Sequence, residues 1–350
     1  MVPFPTDSDD AREPGSTGSG ASTISSAETH DLLRRFPPAG DATPVALRRF
    51  TKFVAFSTLF LIFAGAMVTS TGSGLAVPDW PLSYGMVFPP MVGGIFYEHG
   101  HRMIAATVGF LTVLQAIWLQ LAEPKRFLRL IGWFAVGAVI AQGVLGGLTV
   151  LFLLPPAISI AHGGLAEIFF CLNVSIAFFA SNWYRGLRSS ERGAMPVGLS
   201  TSLVGLVYVQ ILLGALMRHL GAGLAIPDFP LAFGRLIPPF TSVGVAANFA
   251  HRVGALCVTL LALVLFMTLR RFAANHPLRR ISLVLMTIIS IQILLGAYTI
   301  WSGKHPITTS LHVANGALTL AFTLMLCLTA NALAWRTERG RSYVGDEVTA

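Results

Sequence analysis

Eight stretches of this chain, each close to twenty residues long, carry almost no charge: approximately 53–70, 102–121, 129–152, 157–181, 197–217, 247–269, 281–301 and 307–331. A helix needs roughly 20 residues to cross about 30 Å of hydrocarbon. A membrane strand would show alternating runs of about ten, and such runs are absent. Charged residues make up 11% of the 350 residues, against about 25% in a soluble domain. So few charges cannot cover the surface of a soluble protein this size, so the apolar stretches must face lipid. The expected fold class is an all-α integral membrane protein with eight transmembrane helices.

The ends differ in composition. Residues 1–46 are rich in Ser, Gly, Pro, Thr and Asp and poor in large apolar side chains, so the expectation is a disordered tail that buries too little to offset its ordering entropy. It lacks the short apolar core of a signal peptide, and Asp7, Asp9, Asp10 and Glu13 argue against a mitochondrial transit peptide. Basic residues then orient the spans. Nineteen of the 24 Lys and Arg fall on one side: in the stretch up to Lys52, in the links holding Lys125, Arg126 and Arg129, then Arg185, Arg188 and Arg192, then Arg270, Arg271, Arg279 and Arg280, and in the C-terminal tail 333–350. The five others are Arg102, Arg218, Arg235, Arg252 and Lys304. The positive-inside rule therefore puts both tails in the cytoplasm. The net charge of +8 reads as a topology signal and not as a nucleic-acid surface. Cys171, Cys257 and Cys327 lie inside apolar runs and say nothing about redox compartment.

The chain also repeats itself. GLAVPD at 74–79 returns as GLAIPD at 223–228, and Pro89-Pro90 as Pro238-Pro239, both at an offset of 149. His101-Arg102 returns as His251-Arg252; Gln142, Gly146 and Thr149 as Gln292, Gly296 and Thr299; and His162 as His312, all at 150. Such periodicity points to a duplicated four-helix unit. An even helix count makes the repeat parallel, about an axis along the membrane normal. The expected units are two four-helix bundles, residues 47–190 and 191–332. Asp79 and Asp228, in the long links outside the membrane, are expected to fix turns, with a grip on a polar ligand edge as the sharper alternative.

His101, His162, His251 and His312 each fall in the first turns of an even-numbered helix and so at similar depth near the outer face. Ionisable residues within spans are costly and point by default to a functional site. The plainer reading is four hydrogen-bonded interfacial rings. Four at repeat-related places favour metal ligation, since imidazole suits iron and helical bundles hold metals between facing side chains. Two per half would serve one iron each, as in a bis-histidine haem; structural zinc usually wants four close ligands. Gly143, Gly146, Gly147, Gly163, Gly164 and Gly296 lie beside these helices, where small residues also simply pack spans. His30, His99, His219, His276 and His305 have no repeat partner and are expected to be solvated or interfacial. Arg102 and Arg252 either contact haem propionates or snorkel to headgroups.

The halves differ in one place that bears on chemistry. Glu98, three residues before His101 and so on its helix face, corresponds to Asn248. The first half could then perform acid–base or charge-stabilising chemistry, while the second could only bind. The alternative is that Glu98 is a helix-start residue favoured by the helix dipole.

Over about residues 50–332 the chain resembles the haem A synthases. Glu98 to Arg102 looks like that family's Glu-x-x-His-Arg motif, Asn248 to Arg252 like its second-half counterpart, and His162 and His312 fall where the family has its other histidines. The resemblance implies a membrane enzyme that oxidises the C8 methyl of haem O to the formyl group of haem A for cytochrome oxidase assembly. It implies substrate haem between His101 and His162, with Glu98 as the catalytic residue, and a haem b cofactor, with its iron, between His251 and His312. Partners so implied are the lipid bilayer, haem O, an electron acceptor, haem O synthase and oxidase assembly factors; a homo-oligomer stays open. Some members carry a cysteine pair in their outer links, which this chain lacks. A diheme b-type electron-transfer protein explains the four histidines but not the lone Glu98. A transporter would place its polar site nearer the midplane.

Overall fold

The computed structural model describes residues 43–187 and 195–348. Within them the chain forms eight long helices: α1 (Val45–Ser70), α2 (Gly93–Ala122), α3 (Arg126–Leu151), α4 (Pro156–Ala180), α5 (Val197–His219), α6 (Val243–Leu269), α7 (Pro277–Trp301) and α8 (Pro306–Val348). All eight are long and apolar enough to cross a membrane, and backbone groups in lipid are satisfied within each helix. The protein is an all-helical, multi-pass membrane protein. The expected disorder of the N-terminal tail falls on residues outside the described ones, except at its last few positions, where α1 already begins at Val45. Arg188 and Arg192 also lie outside them. At the C-terminal end α8 runs on to Val348.

Helix contacts are cyclic. In the first half α1 packs on α2, α2 on α3, α3 on α4 and α4 back on α1; in the second, α5, α6, α7 and α8 close the same ring. The rings meet through α1 against α8, α4 against α5 and α4 against α8. Phe170 and Val174 of α4 and Ala317 and Ala321 of α8, with Leu59 and Ile62 of α1, form the apolar seam. Exchanging the halves maps these contacts onto themselves, consistent with a parallel duplication. Helix starts keep the offset too: Gly93 and Val243, and Pro156 and Pro306, are each 150 apart.

Hydropathy places the starts of α2 and α6 too late. The polar run Glu98 to Arg102 lowers the average, yet α2 begins at Gly93 and α6 at Val243. His101 and His251 therefore stand eight residues inside their helices, about 12 Å or two turns along the axis.

The long links α1–α2 and α5–α6 fold alike. Tyr84-Gly85 and Phe233-Gly234 all have positive φ, and Ser83 and Met86, like Ala232 and Arg235, exchange both backbone hydrogen bonds. This is a tight two-residue turn with successive N–H groups facing one way, an anion-binding concavity. Asp79 fills it: its carboxyl accepts from Tyr84 N at 2.7 Å and Gly85 N at 2.8 Å. Asp228 does the same for Phe233 and Gly234. The turn-fixing role expected of both aspartates is what the structure shows. The amides of Gly85 and Tyr84, and of Gly234 and Phe233, hold the two carboxyls below their ordinary pKa. A lowered folded pKa gives stability that is present above the unfolded value and lost as pH falls through the folded one. The turns are thus expected to stay protected from hydrogen exchange at neutral pH and to open once pH falls below about 4. Asp79→Ala should expose the Tyr84 and Gly85 amides already at pH 7; unchanged protection there would count against the turn assignment.

Candidate functional site

The four repeat-related histidines come from diagonal helices. α2 and α4 are not packed along each other, nor are α6 and α8, so their side chains meet only across the ring's interior. His251 and His312 do so, with ring centroids 6.5 Å apart and planes at 71°. His101 and His162 occupy the corresponding diagonal positions on α2 and α4. The other two helices of each ring make room. A Cβ on Gly65 of α1 would stand 3.0 Å from Cε1 of His101, and one on Gly214 of α5 3.0 Å from Cε1 of His251. Gly146 of α3 and Gly296 of α7 face Cε1 of His162 and His312 in the same way, at 3.3 and 3.1 Å. Each imidazole therefore has its own glycine on the helix that precedes it in the chain. Gly65 and Gly214 escaped the sequence reading, although their spacing of 149 matches the repeat.

The rings suit a group that brings most of its own ligands. Nδ1 of His101, His162 and His312 is buried without a hydrogen-bond partner. Each such orphan costs about 1–3 kcal/mol, which a bonding partner would recover. Two metal–nitrogen bonds of about 2 Å each take up most of the His251–His312 separation, leaving roughly one ring width. Among the described residues no three His, Cys, Asp or Glu converge on one point. An imidazole pair without a third protein ligand fits a metal already held in a macrocycle, as haem iron is.

Glutamines steady the rings, and unequally. Gln142 Nε2 donates to the carbonyl of His162 at 2.9 Å, and Gln292 Nε2 lies 3.4 Å from His312 Nε2. Gln210 of α5 approaches Nδ1 of His251 at 3.0 Å and donates to its carbonyl at 2.7 Å. Its amide fits because Gly254 has no side chain there. The first-half counterparts are Leu61 and Ile104, both packed against the apolar core. His251 thus has its Nδ1 engaged, and His101 does not.

Glu98 is 3% exposed and well inside α2, so it is no helix-start residue. Its Oε2 accepts from Val77 N at 2.8 Å and its Oε1 from Arg102 at 2.7 Å. Arg102 also donates to the carbonyls of Asp79, Leu82 and Val77. In the second half Asn248 donates to the carbonyls of Ala222 and Gly223 and accepts from Arg252. Arg252 donates to those of Leu231 and Ile226. Both arginines turn inward to tie their link to the histidine helix, and neither snorkels. His99 is also corrected: it is buried, with Nδ1 2.8 Å from Ser83 Oγ, because the folded-back link covers it. Phe249 and Ala232 replace this pair with an apolar contact.

One further polar group was missed. Glu167 of α4, 4% exposed, has an Oε2 without a partner, close enough to Tyr208 of α5 to influence it. Its second-half counterpart is Ala317 in the seam; only a comparison of the halves position by position could have found it.

The glycines make a prediction about geometry. Gly214→Val should push the His251 ring out of line and abolish b-type absorbance from that pair in purified protein, while Gly137→Val, which has open space around it, should not. Equal absorbance in both variants would count against the glycine seats.

The family model described as a cytochrome oxidase assembly protein, COX15-CtaA, matches residues 93–324. The Heme A synthase of Symbiobacterium thermophilum is 33% identical over 247 residues, covering 68% of this chain and 80% of that protein. The Heme A synthase of Shouchella clausii is 31% identical over 297 residues, 80% of this chain and 94% of its own length. That of Halalkalibacterium halodurans is 28% identical over 292 residues, 80% and 97%. A match over most of the chain, spanning all four histidines, makes this chain a member of the COX15-CtaA family of cytochrome oxidase assembly proteins.

Proposed function

We propose that the chain is a haem A synthase, an oxidoreductase that converts the C8 methyl of haem O to a formyl group by successive hydroxylations. The observation that carries this reading is the two diagonal histidine pairs, of which only the first has a carboxyl, Glu98, on the helix face of one of its histidines. His101 and His162 would hold the substrate, and His251 and His312 a haem b. The Gln210 contact supports that division, since partners of a ligand histidine fix its orientation and strengthen binding. A resident cofactor calls for retention, whereas a substrate must be released. Bound there, haem b would supply an electron-transfer station.

Glu98 is the proposed catalytic residue. It shares a helix face with His101 and is held by Val77 N–H and Arg102, so it needs no reorganisation as charge develops. Each hydroxylation with oxygen from water would release two protons and two electrons, the electrons passing to the external electron acceptor; their removal leaves positive character at the methyl carbon, which a fixed carboxyl stabilises. The carboxyl's remaining lone pairs can orient an attacking water or take its proton. Two hydroxylations of one carbon give a geminal diol, which loses water to form the aldehyde. We place the link-bearing face outside the cell, because Lys125, Arg126, Arg129, Arg185, Arg270, Arg271, Arg279 and Arg280 all lie at the opposite helix ends.

Asn248 demonstrates that an amide at the Glu98 position still ties link to helix. Glu98→Gln is therefore expected to fold and keep both haems while conversion of haem O falls at least about 100-fold; an unchanged haem A yield by mass spectrometry would remove Glu98 from the chemistry. Gln210→Leu is expected to weaken retention of the second haem by about ten-fold, read as haem per protein after detergent washing, and to leave the first pair's haem in place.

A further inference from the structure

Arg218, the penultimate residue of α5, sits where the two halves meet. Its side chain reaches back across the seam. One terminal nitrogen donates to Ala66 O at 3.2 Å and to Ser70 Oγ at 2.7 Å, both on α1, and Ser310 Oγ of α8 donates to Ser70 in turn. Ala66 adjoins Gly65, the seat of His101, so the guanidinium lies at the level of the imidazoles. On the other side Ser310 stands two residues before His312 on α8.

The cation lacks a counter-charge. The ion pairs among the described residues are Arg102–Glu98 and Lys125–Glu123. The other terminal nitrogen and Nε of Arg218 have no hydrogen-bond partner there. A charge within a span is costly, and an arginine there usually marks a functional contact. The arrangement is also unique to one side. The counterparts of Arg218, Ser70 and Ser310 are Thr69, His219 and Ile160, so the equivalent junction beside the first pair lacks this cation. Arg102 and Arg252, by contrast, use their donors on link carbonyls.

We propose that Arg218 binds a carboxylate of the tetrapyrrole held by His251 and His312, presenting the free edge of its guanidinium to a propionate group. This rests on the haem-binding reading above. Planar guanidinium and carboxylate pair through two parallel hydrogen bonds, and the ligand would supply the charge that the fold does not.

The test uses the full-length protein in detergent with His101→Ala, so that only the second pair can hold haem. Its affinity for iron protoporphyrin IX is compared with that for the dimethyl ester, whose propionates carry no charge. Haem should bind roughly ten-fold more tightly than the ester, and adding Arg218→Gln should make the two equal. Arg218→Lys, which keeps the charge, should keep a preference for the free acid. A preference that survives Arg218→Gln, or none in the His101→Ala protein, overturns the assignment. Haem binding lost in His101→Ala but present in the unaltered chain overturns it too. If the unaltered chain binds no haem, the failure lies instead with the haem-binding reading.

Discussion

An imidazole can occupy the middle of a tightly packed helix ring only where the opposing residue has no side chain. Gly65, Gly146, Gly214 and Gly296 meet that condition four times, each against one histidine ring. The rest follows from it. Histidines on diagonal helices reach across the interior, and glycines on the other two helices let the ring close around them. Close packing also shuts three Nδ1 atoms away from any partner. The same constraint that forms the site makes it incomplete without a ligand.

Around this shared frame the halves have diverged by compensated exchanges. His99 with Ser83 is polar where Phe249 with Ala232 is apolar. Gln210 with Gly254 is polar and open where Leu61 and Ile104 fill the space. Glu98 and Asn248 both tie a link to a helix, but through different partners. In each case the neighbour changed with the residue, although the exchange of Gln210 for Leu61 leaves His101 Nδ1 without the partner that His251 Nδ1 has. Glu167 and Arg218 stand outside this pattern: each is a polar group without a polar counterpart in charge, and each lies at the seam. Divergence of function has gathered at the first histidine's helix and between the halves.

Much of the fold was legible because lipid demands long apolar runs, and these survive any tertiary detail. The repeat was legible because identical residues recur at one spacing, and the four histidines with it. Helix starts were misjudged at Gly93 and Val243, since averaging hydropathy treats the polar run around His101 as an end when it is interior. His99 was misread because a folded link, which a periodicity argument cannot see, covers it. Arg102 and Arg252 showed charge and position, but their partners are backbone carbonyls, and carbonyls leave no mark in a sequence. Gly65 and Gly214 were hidden for a similar reason: glycine is common in spans, and only the ring opposite gives one its meaning.

The seam deserves one last consequence. Exchanging the halves carries α1 against α8 into α5 against α4, and α4 against α8 into itself. A patch that meets its own equivalent across a two-fold axis is isologous. A half-length chain of four helices therefore already possesses, in its first and last helix, everything needed to pair with a twin. Within one fused chain the two halves can differ, as Glu98 and Asn248 do, in a way that two identical subunits never could.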